Sequence, residues 1–257
     1  MPDDEKWTRL MMPRFRLGNI VARHEANARR GPGYQFYHLV PPDVMEVTVT
    51  LGIAEYTREA VDAAAASNLD RCIDLLAAEK VDYLILGGAP VSAQLGRERA
   101  LRLMADTKQR TGIPMTGPIE AMLAGLKRLG AKSIAIGSRW ADELNQAMAG
   151  YFTAGGIEVL GVTTRGQWNA EAHKMTFEEG LHVALDVGRE AARMAPQADA
   201  IIVPGGAAMS LHVIPALEEE FGKPVLTNLS SEVWNALVRT GVIEPVRGWG
   251  TLLAGGR

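Results

Sequence analysis

Cysteine is almost absent from this sequence, since Cys72 is the single one among 257 residues. One cysteine excludes an intramolecular disulfide and a zinc site built from several cysteines. The sequence also lacks an excess of basic charge, because its formal net charge is −3 at pH 7. It therefore has no electrostatic footprint for binding nucleic acid or an anionic membrane surface.

Long apolar runs are missing as well, and none approaches the roughly 20 residues that a membrane-spanning helix needs. Segment 1–15 contains acidic residues and no apolar signal core, so we interpret it as an N-terminal arm and not as a targeting peptide. Hydrophobic residues make up 47% of the chain and charged residues 22%, which is ordinary for a globular protein. These features favour a soluble, cytoplasmic protein that is independent of metals.

Short β-branched runs alternate with longer helical patterns along the chain. This alternation predicts an α/β protein with parallel sheets that helices cover on both faces. The predicted strands are 17–21, 47–51, 83–86, 113–115, 133–136, 157–162, 200–203 and 225–227. The predicted helices are 57–79, 97–111, 118–129, 141–154, 176–194, 209–221 and 231–240.

An internal repeat indicates a duplicated α/β unit. Segment 81–88 (VDYLILGG) is echoed by segment 198–206 (ADAIIVPGG), and each leads through a helix to a Gly-x-Pro block. We predict one lobe from 16–117 plus 229–257 and a second from 118–228. Because ligands bind beyond the carboxyl ends of parallel strands, the repeat predicts a ligand between two facing glycine loops. The alternative is that these glycines only make tight strand-to-helix turns.

Several of these segments resemble a known superfamily. The stretch from Gly88 to Gly96, together with Pro204-Gly205-Gly206 through Glu218 and the Gly-x-Pro-Val block after it, resembles arylmalonate decarboxylases and maleate cis–trans isomerases. Both are branches of the Asp/Glu racemase superfamily. The resemblance implies two pseudo-symmetric flavodoxin-like lobes with an active-site cleft between them, no cofactor, and a small organic acid as substrate. It leaves open whether the chain forms a homo-oligomer.

The sequence departs from the superfamily pattern at the positions of its catalytic cysteines. Racemases and maleate isomerases have one cysteine in each loop, whereas the decarboxylases have glycine in the first. Here we assign Gly88 to the first position and Pro204 to the second, so neither has a thiol. Ala89 and Pro90 replace the hydroxyl pair of the decarboxylases, and Trp140 stands where they have an aromatic hydroxyl. The resemblance therefore implies chemistry without cysteine.

Groups that bind a carboxylate are still present near the predicted cleft. Arg139 offers a bidentate contact to a carboxylate, and Trp140 offers a wall on which a flat substrate stacks, although a tryptophan at a lobe interface is equally common. Backbone N–H groups at helix starts also bind anions. The candidate donors of this kind are Gly88, Ala89, Gly205 and Gly206.

A general acid or base must then come from another residue. Glu120 follows a strand end in the first turn of a helix, where it either abstracts a proton or only favours the helix dipole. Arg23, His24 and Glu25 follow the first strand, where they either clamp an anion or are merely solvated. Cys72 lies on the apolar face of a helix and is interpreted as a core residue.

Three functions fit these residues. The first is a cofactor-independent, decarboxylase-like lyase or an isomerase that acts on a small organic acid through non-cysteine acid–base chemistry. The second is a carboxylate-binding protein with altered catalysis, which the missing thiols favour. The third is a hydrolase that uses a water activated by a glutamate or a histidine.

Overall fold

Two parallel four-stranded sheets of matching topology form the centre of the computed structural model, which describes residues 12–23, 32–168 and 174–256. The first sheet has the order β2-β1-β3-β4, with strands β1 (Phe15–Val21), β2 (Val44–Thr50), β3 (Tyr83–Leu86) and β4 (Met115–Thr116). The second has the order β6-β5-β7-β8, with strands β5 (Ser133–Ile136), β6 (Glu158–Val162), β7 (Ala200–Ile202) and β8 (Val225–Leu226). The predicted α/β fold with two parallel sheets is confirmed.

Helices connect the strands and cover the sheets. They are α1 (Pro32–Phe36), α2 (Arg58–Ala78), α3 (Ala89–Leu95), α4 (Arg97–Thr111), α5 (Pro118–Leu129), α6 (Asp142–Ala154), α7 (Phe177–Met194), α8 (Ile214–Phe221) and α9 (Asn228–Val233). Two short 3-10 helices, Gly206–Ala208 and Ser210–Val213, precede α8, and a π-helical turn, Trp234–Val238, continues α9. In the described part of the chain, no helix is both long and apolar enough to cross a membrane.

The two sheets correspond residue by residue. The side chain of Asp82 accepts a hydrogen bond from the backbone N–H of Arg16, and Asp199 accepts the equivalent bond from Ser133. Leu84 pairs with Met115 in the first sheet as Ile201 pairs with Val225 in the second. The internal repeat in the sequence therefore corresponds to a structural duplication.

Helices α5 and α9, which follow the last strand of each sheet, pack against each other. Helix α9 begins after the second sheet, yet the side chain of Asn235 in its π-helical extension donates to the hydroxyl of Tyr83 in the first sheet at 3.1 Å. A Cβ built on Gly125 of α5 would lie 3.0 Å from Leu226 of the second sheet. The lobe boundaries at 117/118 and 228/229 stay predictions.

Some elements differ from the sequence-based prediction. Helices α1 and α3 were not predicted, and α3 lies in what was expected to be a glycine loop. Helix α8 begins five residues later than the predicted helix 209–221, because the 3-10 helix Ser210–Val213 occupies its expected first turn. Helix α9 begins three residues earlier than predicted, because Thr227 and Ser230 form a capping box there.

Candidate active site

Gly88 and Gly205 occupy equivalent positions in the two halves. Each follows the end of a central strand and precedes a short helix, with φ/ψ of 94°/105° at Gly88 and 103°/91° at Gly205. Since Leu84 corresponds to Ile201 in the strand register, Gly205 corresponds to Gly88, and Pro204 corresponds to Gly87. The assignment of the second chemical position to Pro204 is therefore corrected to Gly205.

A glycine is needed at position 205 for two reasons. Its positive φ is a conformation that residues with a Cβ rarely adopt. A Cβ there would also lie 3.3 Å from Cζ2 of Trp140 and 3.5 Å from Nη2 of Arg139. The structure thus brings three of the predicted site residues, Gly205, Arg139 and Trp140, to one place.

A buried hydrogen-bond network fixes the segment that carries Arg139 and Trp140. The hydroxyl of Ser138 donates to Oδ1 of Asn145 at 2.5 Å and accepts from the backbone N–H of Trp140 at 3.1 Å. Nδ2 of Asn145 donates to the carbonyl of Trp140 at 2.9 Å. Ser138 lies before the N-cap residue of α6, which is Ala141.

The surroundings of Arg139 are buried and positively charged. Arg139 is only 4% exposed, and its Cζ atom lies 5.6 Å from the centre of the Trp140 ring. Burial raises the pKa of the nearby Tyr56 to about 12, although the charges of Arg139 and Arg23 act in the opposite direction. The Tyr56 hydroxyl is therefore protonated at neutral pH. The backbone carbonyl of Tyr56 accepts a hydrogen bond from Nε2 of Gln94 in α3 at 2.8 Å.

Side chains from two other elements hold the second glycine loop. Nε2 of Gln35 donates to the carbonyl of Gly206 at 2.7 Å, and its Oε1 accepts from the N–H of Leu211 at 3.1 Å. The N–H of Gly205 donates to Oδ1 of Asn228 at 3.3 Å. The Gly205 N–H thus has a partner within the protein, and its role as a donor to a ligand stays a prediction.

Two carboxyl side chains, the partly buried Glu46 of β2 and the buried Glu232 of α9, interact electrostatically. Nδ2 of Asn19 donates to Oε1 of Glu46 at 2.7 Å, and a Cβ built on Gly87 would lie 2.8 Å from Oδ1 of Asn19. Burial raises the pKa of Glu232 to about 8, and the charge of Glu46 adds to this effect. Burial also raises the pKa of Glu46, against the hydrogen bond from Asn19.

A family model described as arylmalonate decarboxylase matches residues 37–253. The chain belongs to the arylmalonate decarboxylase family. It is 26% identical over 200 residues to arylmalonate decarboxylase from Bordetella bronchiseptica, and this alignment covers 78% of this chain and 82% of that protein. It is 29% identical over 159 residues to maleate isomerase from Geobacillus stearothermophilus, and this alignment covers 60% of each of the two chains. An unliganded arylmalonate decarboxylase structure matches with a TM-score of 0.78 and 25% identity, over 93% of this chain and 99% of that one.

The predicted resemblance to this branch of the Asp/Glu racemase superfamily is thereby confirmed. The relatives are enzymes, one a decarboxylase and one an isomerase, which supports an enzyme of this general kind here. In the part of the chain that the structure describes, no three His, Cys, Asp or Glu side chains converge on a possible metal position.

Glu120, expected from the sequence to be an acid or base, makes its contacts with neighbouring helices. Its Oε1 forms an ion pair with Nε of Arg97 at 2.7 Å. Its charge also acts on the buried Tyr151 of α6, whose pKa is raised by burial and then by Glu120. These contacts explain Glu120 as part of the packing of α4, α5 and α6, so we do not place it in the reaction.

The other predicted acid–base candidates, His24 and Glu25, lie outside the described residues, and their role stays a prediction. Arg23 is described, and its guanidinium donates to the backbone carbonyl of Ala54. Ala89 and Pro90 are buried in the first turn of α3, directly after Gly88. The interpretation of Cys72 as a core residue is confirmed, since it is 2% exposed and its thiol donates to the carbonyl of Thr50 at 3.4 Å.

An aromatic cluster beside the second glycine loop was not anticipated. His212, in the 3-10 helix after Gly205, lies 5.4 Å from His38 and 5.3 Å from Trp249 between ring centres, and it stacks with Tyr34 at 6.3 Å. Burial lowers the pKa of His212, and the charge of His38 lowers it further. The ring of His212 is therefore neutral at pH 7.

Proposed function

We propose that this chain is a cofactor-independent enzyme that decarboxylates or isomerises a small organic acid bound between the Gly88 and Gly205 loops. One observation carries the proposal: the guanidinium of Arg139 is buried directly beside Gly205, at the carboxyl end of the second sheet. Family membership supports the type of reaction, and this position of a permanent cation supports the type of substrate.

Arg139 fits a carboxylate because a guanidinium is planar, stays charged, and offers two parallel N–H donors to the two oxygens. Loss of CO2 or rearrangement beside a carboxylate develops negative charge on carbon and on the remaining carboxylate. A fixed cation in a water-poor site stabilises such charge far more than a solvated one. We propose the protonated hydroxyl of Tyr56, on which the charge of Arg139 acts, as a second donor.

The proposed chemistry does not use a thiol. Neither Gly88 nor Gly205 has a side chain, and the single cysteine of the chain, Cys72, is buried in α2. Phenylmalonate and maleate are suitable first substrates, because the relatives are named for an arylmalonate and for maleate. Both compounds are dicarboxylates, so one carboxylate can bind Arg139 while the reaction takes place next to it.

The second candidate function is a protein that binds an organic acid without converting it. The observation that favours it is the pair of glycines at the two equivalent loop positions. It shares the Arg139 site with the first candidate and differs in one respect only. It predicts binding of dicarboxylates with no release of CO2 and no isomerised product.

The test compares Arg139→Ala with Arg165→Ala, a control in which the arginine forms an exposed ion pair with Glu190 at 2.6 Å. Malonate binding is measured by calorimetry, and conversion of phenylmalonate and maleate by NMR. We expect Arg139→Ala to weaken malonate binding at least 10-fold and Arg165→Ala to leave it unchanged. Equal binding by both variants would contradict the site, whereas binding without conversion would favour the second candidate.

A further inference from the structure

We propose that Glu232 is the general acid of this cleft, which gives its proton to the substrate carbon after CO2 has left, and that Glu46 and Asn19 position it. This inference rests on the proposed function, because it names the acid of the same site. It replaces Glu120 as the candidate, since the carboxylate of Glu120 is paired with Arg97.

Helix α9 places Glu232 next to the second glycine loop. Asn228, in the first turn of α9, accepts the N–H of Gly205. Glu232 follows four residues later, and side chains at this spacing on a helix are neighbours, about 6 Å apart. Glu232 therefore lies one helical turn from the loop that carries Gly205.

Glu232 is coupled to the first sheet through Glu46 of β2, whose charge acts on it. Nδ2 of Asn19 donates a hydrogen bond of 2.7 Å to Oε1 of this Glu46. Asn19 is 3% exposed, and its Oδ1 has no hydrogen-bond partner among the described residues. That oxygen lies 2.8 Å from where a Cβ of Gly87 would lie, so Asn19 links Glu46 to the first glycine loop.

The charge state of the pair suits proton donation. Two carboxyl groups buried side by side do not both ionise readily, because the medium is poor in water and the like charges repel. Glu232 is only 4% exposed, and Glu46 is the charged group that acts on it among the described residues. With a pKa of about 8, Glu232 retains its proton at neutral pH, as a general acid must.

The proposed step balances without a further reactant. The bond between the departing carboxylate and the α-carbon of the substrate breaks, CO2 leaves, and the electron pair stays on the α-carbon. The proton of Glu232 then moves to this carbon and forms a C–H bond. Glu232 is left as a carboxylate and regains a proton from water before the next turnover.

The experiment compares Glu232→Gln and Glu46→Gln with Glu219→Gln, whose carboxylate is exposed on α8. The first readout needs no activity: NMR titration of protein labelled with carboxyl-13C glutamate. We expect a carboxyl that titrates near pH 8 in the wild type, is missing in Glu232→Gln, and titrates at lower pH in Glu46→Gln. The absence of any such carboxyl in the wild type would overturn the proposal.

The second readout is turnover of phenylmalonate together with binding of unreactive malonate. We expect Glu232→Gln to lower kcat at least 100-fold while malonate binds within about threefold of the wild type. In Glu46→Gln, the alkaline limb of the pH profile of kcat should move to lower pH. Glu219→Gln should match the wild type in both respects.

The possible failures are distinguishable. If Glu232→Gln keeps the turnover of the wild type, this inference is overturned and the proposed function stays intact. The same conclusion follows if Glu232→Gln loses kcat and malonate binding to an equal extent, because such a loss indicates a structural role of Glu232. A wild type that binds malonate through Arg139 but converts no carboxylate would overturn the enzymatic function, and the inference with it.

Discussion

The backbone N–H of Gly205 donates a hydrogen bond to the side-chain oxygen of Asn228, with an N···O distance of 3.3 Å. Asn228 begins α9, and the continuation of this helix reaches the first sheet, where Asn235 contacts Tyr83. The second glycine loop is thus held by a helix that also packs against the opposite half of the molecule.

Removal of the Asn228 side chain should affect the loop more than the fold. We expect Asn228→Ala to lose about 1 kcal/mol of stability, as is typical for one hydrogen bond, and to lower kcat/KM about 10-fold because the Gly205 loop is released. Asn235→Ala is the matched control, with a similar loss of stability and an unchanged kcat/KM. Urea denaturation and steady-state kinetics measure the two quantities. An equal loss of activity in both variants would contradict this role of Asn228.

Replacement of Gly205 should have two separable effects. Gly205→Ala and Gly222→Ala both place a Cβ at a positive φ, which costs on the order of 1 kcal/mol in each case. At Gly222 the Cβ would meet open space, whereas at Gly205 it would press against Trp140 at 3.3 Å and touch Arg139. We therefore expect only Gly205→Ala to lower kcat/KM strongly, at least 100-fold, in steady-state kinetics. Full activity in Gly205→Ala would show that this loop does not line the site.

The stability of the protein should fall as the pH rises towards 8. The pKa of Glu232 is about 8 when folded, above its ordinary value of 4.5, so the folded state binds the extra proton between these values. The stability linked to this proton is present below pH 4.5 and lost as the pH rises through 8, with a slope of about 1.4 kcal/mol per pH unit. The raised pKa of Glu46 acts in the same direction.

Urea denaturation at several pH values between 5 and 8 measures this slope. The expected outcome is a steeper decline in the wild type than in Glu232→Gln, which has no titrating group at this position. Glu219→Gln should follow the wild-type curve. Identical curves for the wild type and Glu232→Gln would mean that Glu232 titrates at its ordinary pKa.

Thiol reagents should not inhibit the protein. Burial raises the pKa of Cys72, and the thiol is 2% exposed within α2, so little reactive thiolate is accessible. We expect activity to persist after incubation with iodoacetamide under native conditions, and Cys72→Ala to retain kcat. The stability of Cys72→Ala should fall by about 1 kcal/mol, since a small cavity forms in the core. Stoichiometric alkylation with complete loss of activity would contradict chemistry without cysteine.

Much of the fold could be predicted from local patterns. The bounds of β3 and β5 agree with prediction, because each is an apolar run that follows a polar start and ends at glycine. Helix α5 also agrees, since Pro118 suits a first helical turn and Gly130 adopts the left-handed conformation at its end. Helix α3 was missed because Gly88 and Pro90 suggest a loop, although proline is also compatible with a helix start.

The candidate site was predictable only in part. Arg139 and Trp140 could be located because they follow a strand end, where parallel sheets bind ligands. The pairing of Glu46 with Glu232 could not be predicted, because it joins β2 to α9 and depends on how that helix packs against the first sheet. One signal was available in the sequence: Glu232 is the single carboxylate of segment 225–237, which is otherwise apolar or uncharged and is buried throughout.

The most direct test of the account is conversion of small dicarboxylates, with phenylmalonate and maleate first, by the cysteine-free Cys72→Ala protein in D2O, followed by NMR. The account predicts product at the wild-type rate, and for phenylmalonate it predicts deuterium on the carbon next to the remaining carboxylate. Loss of all conversion in Cys72→Ala, with the wild type active and the variant folded, would contradict it.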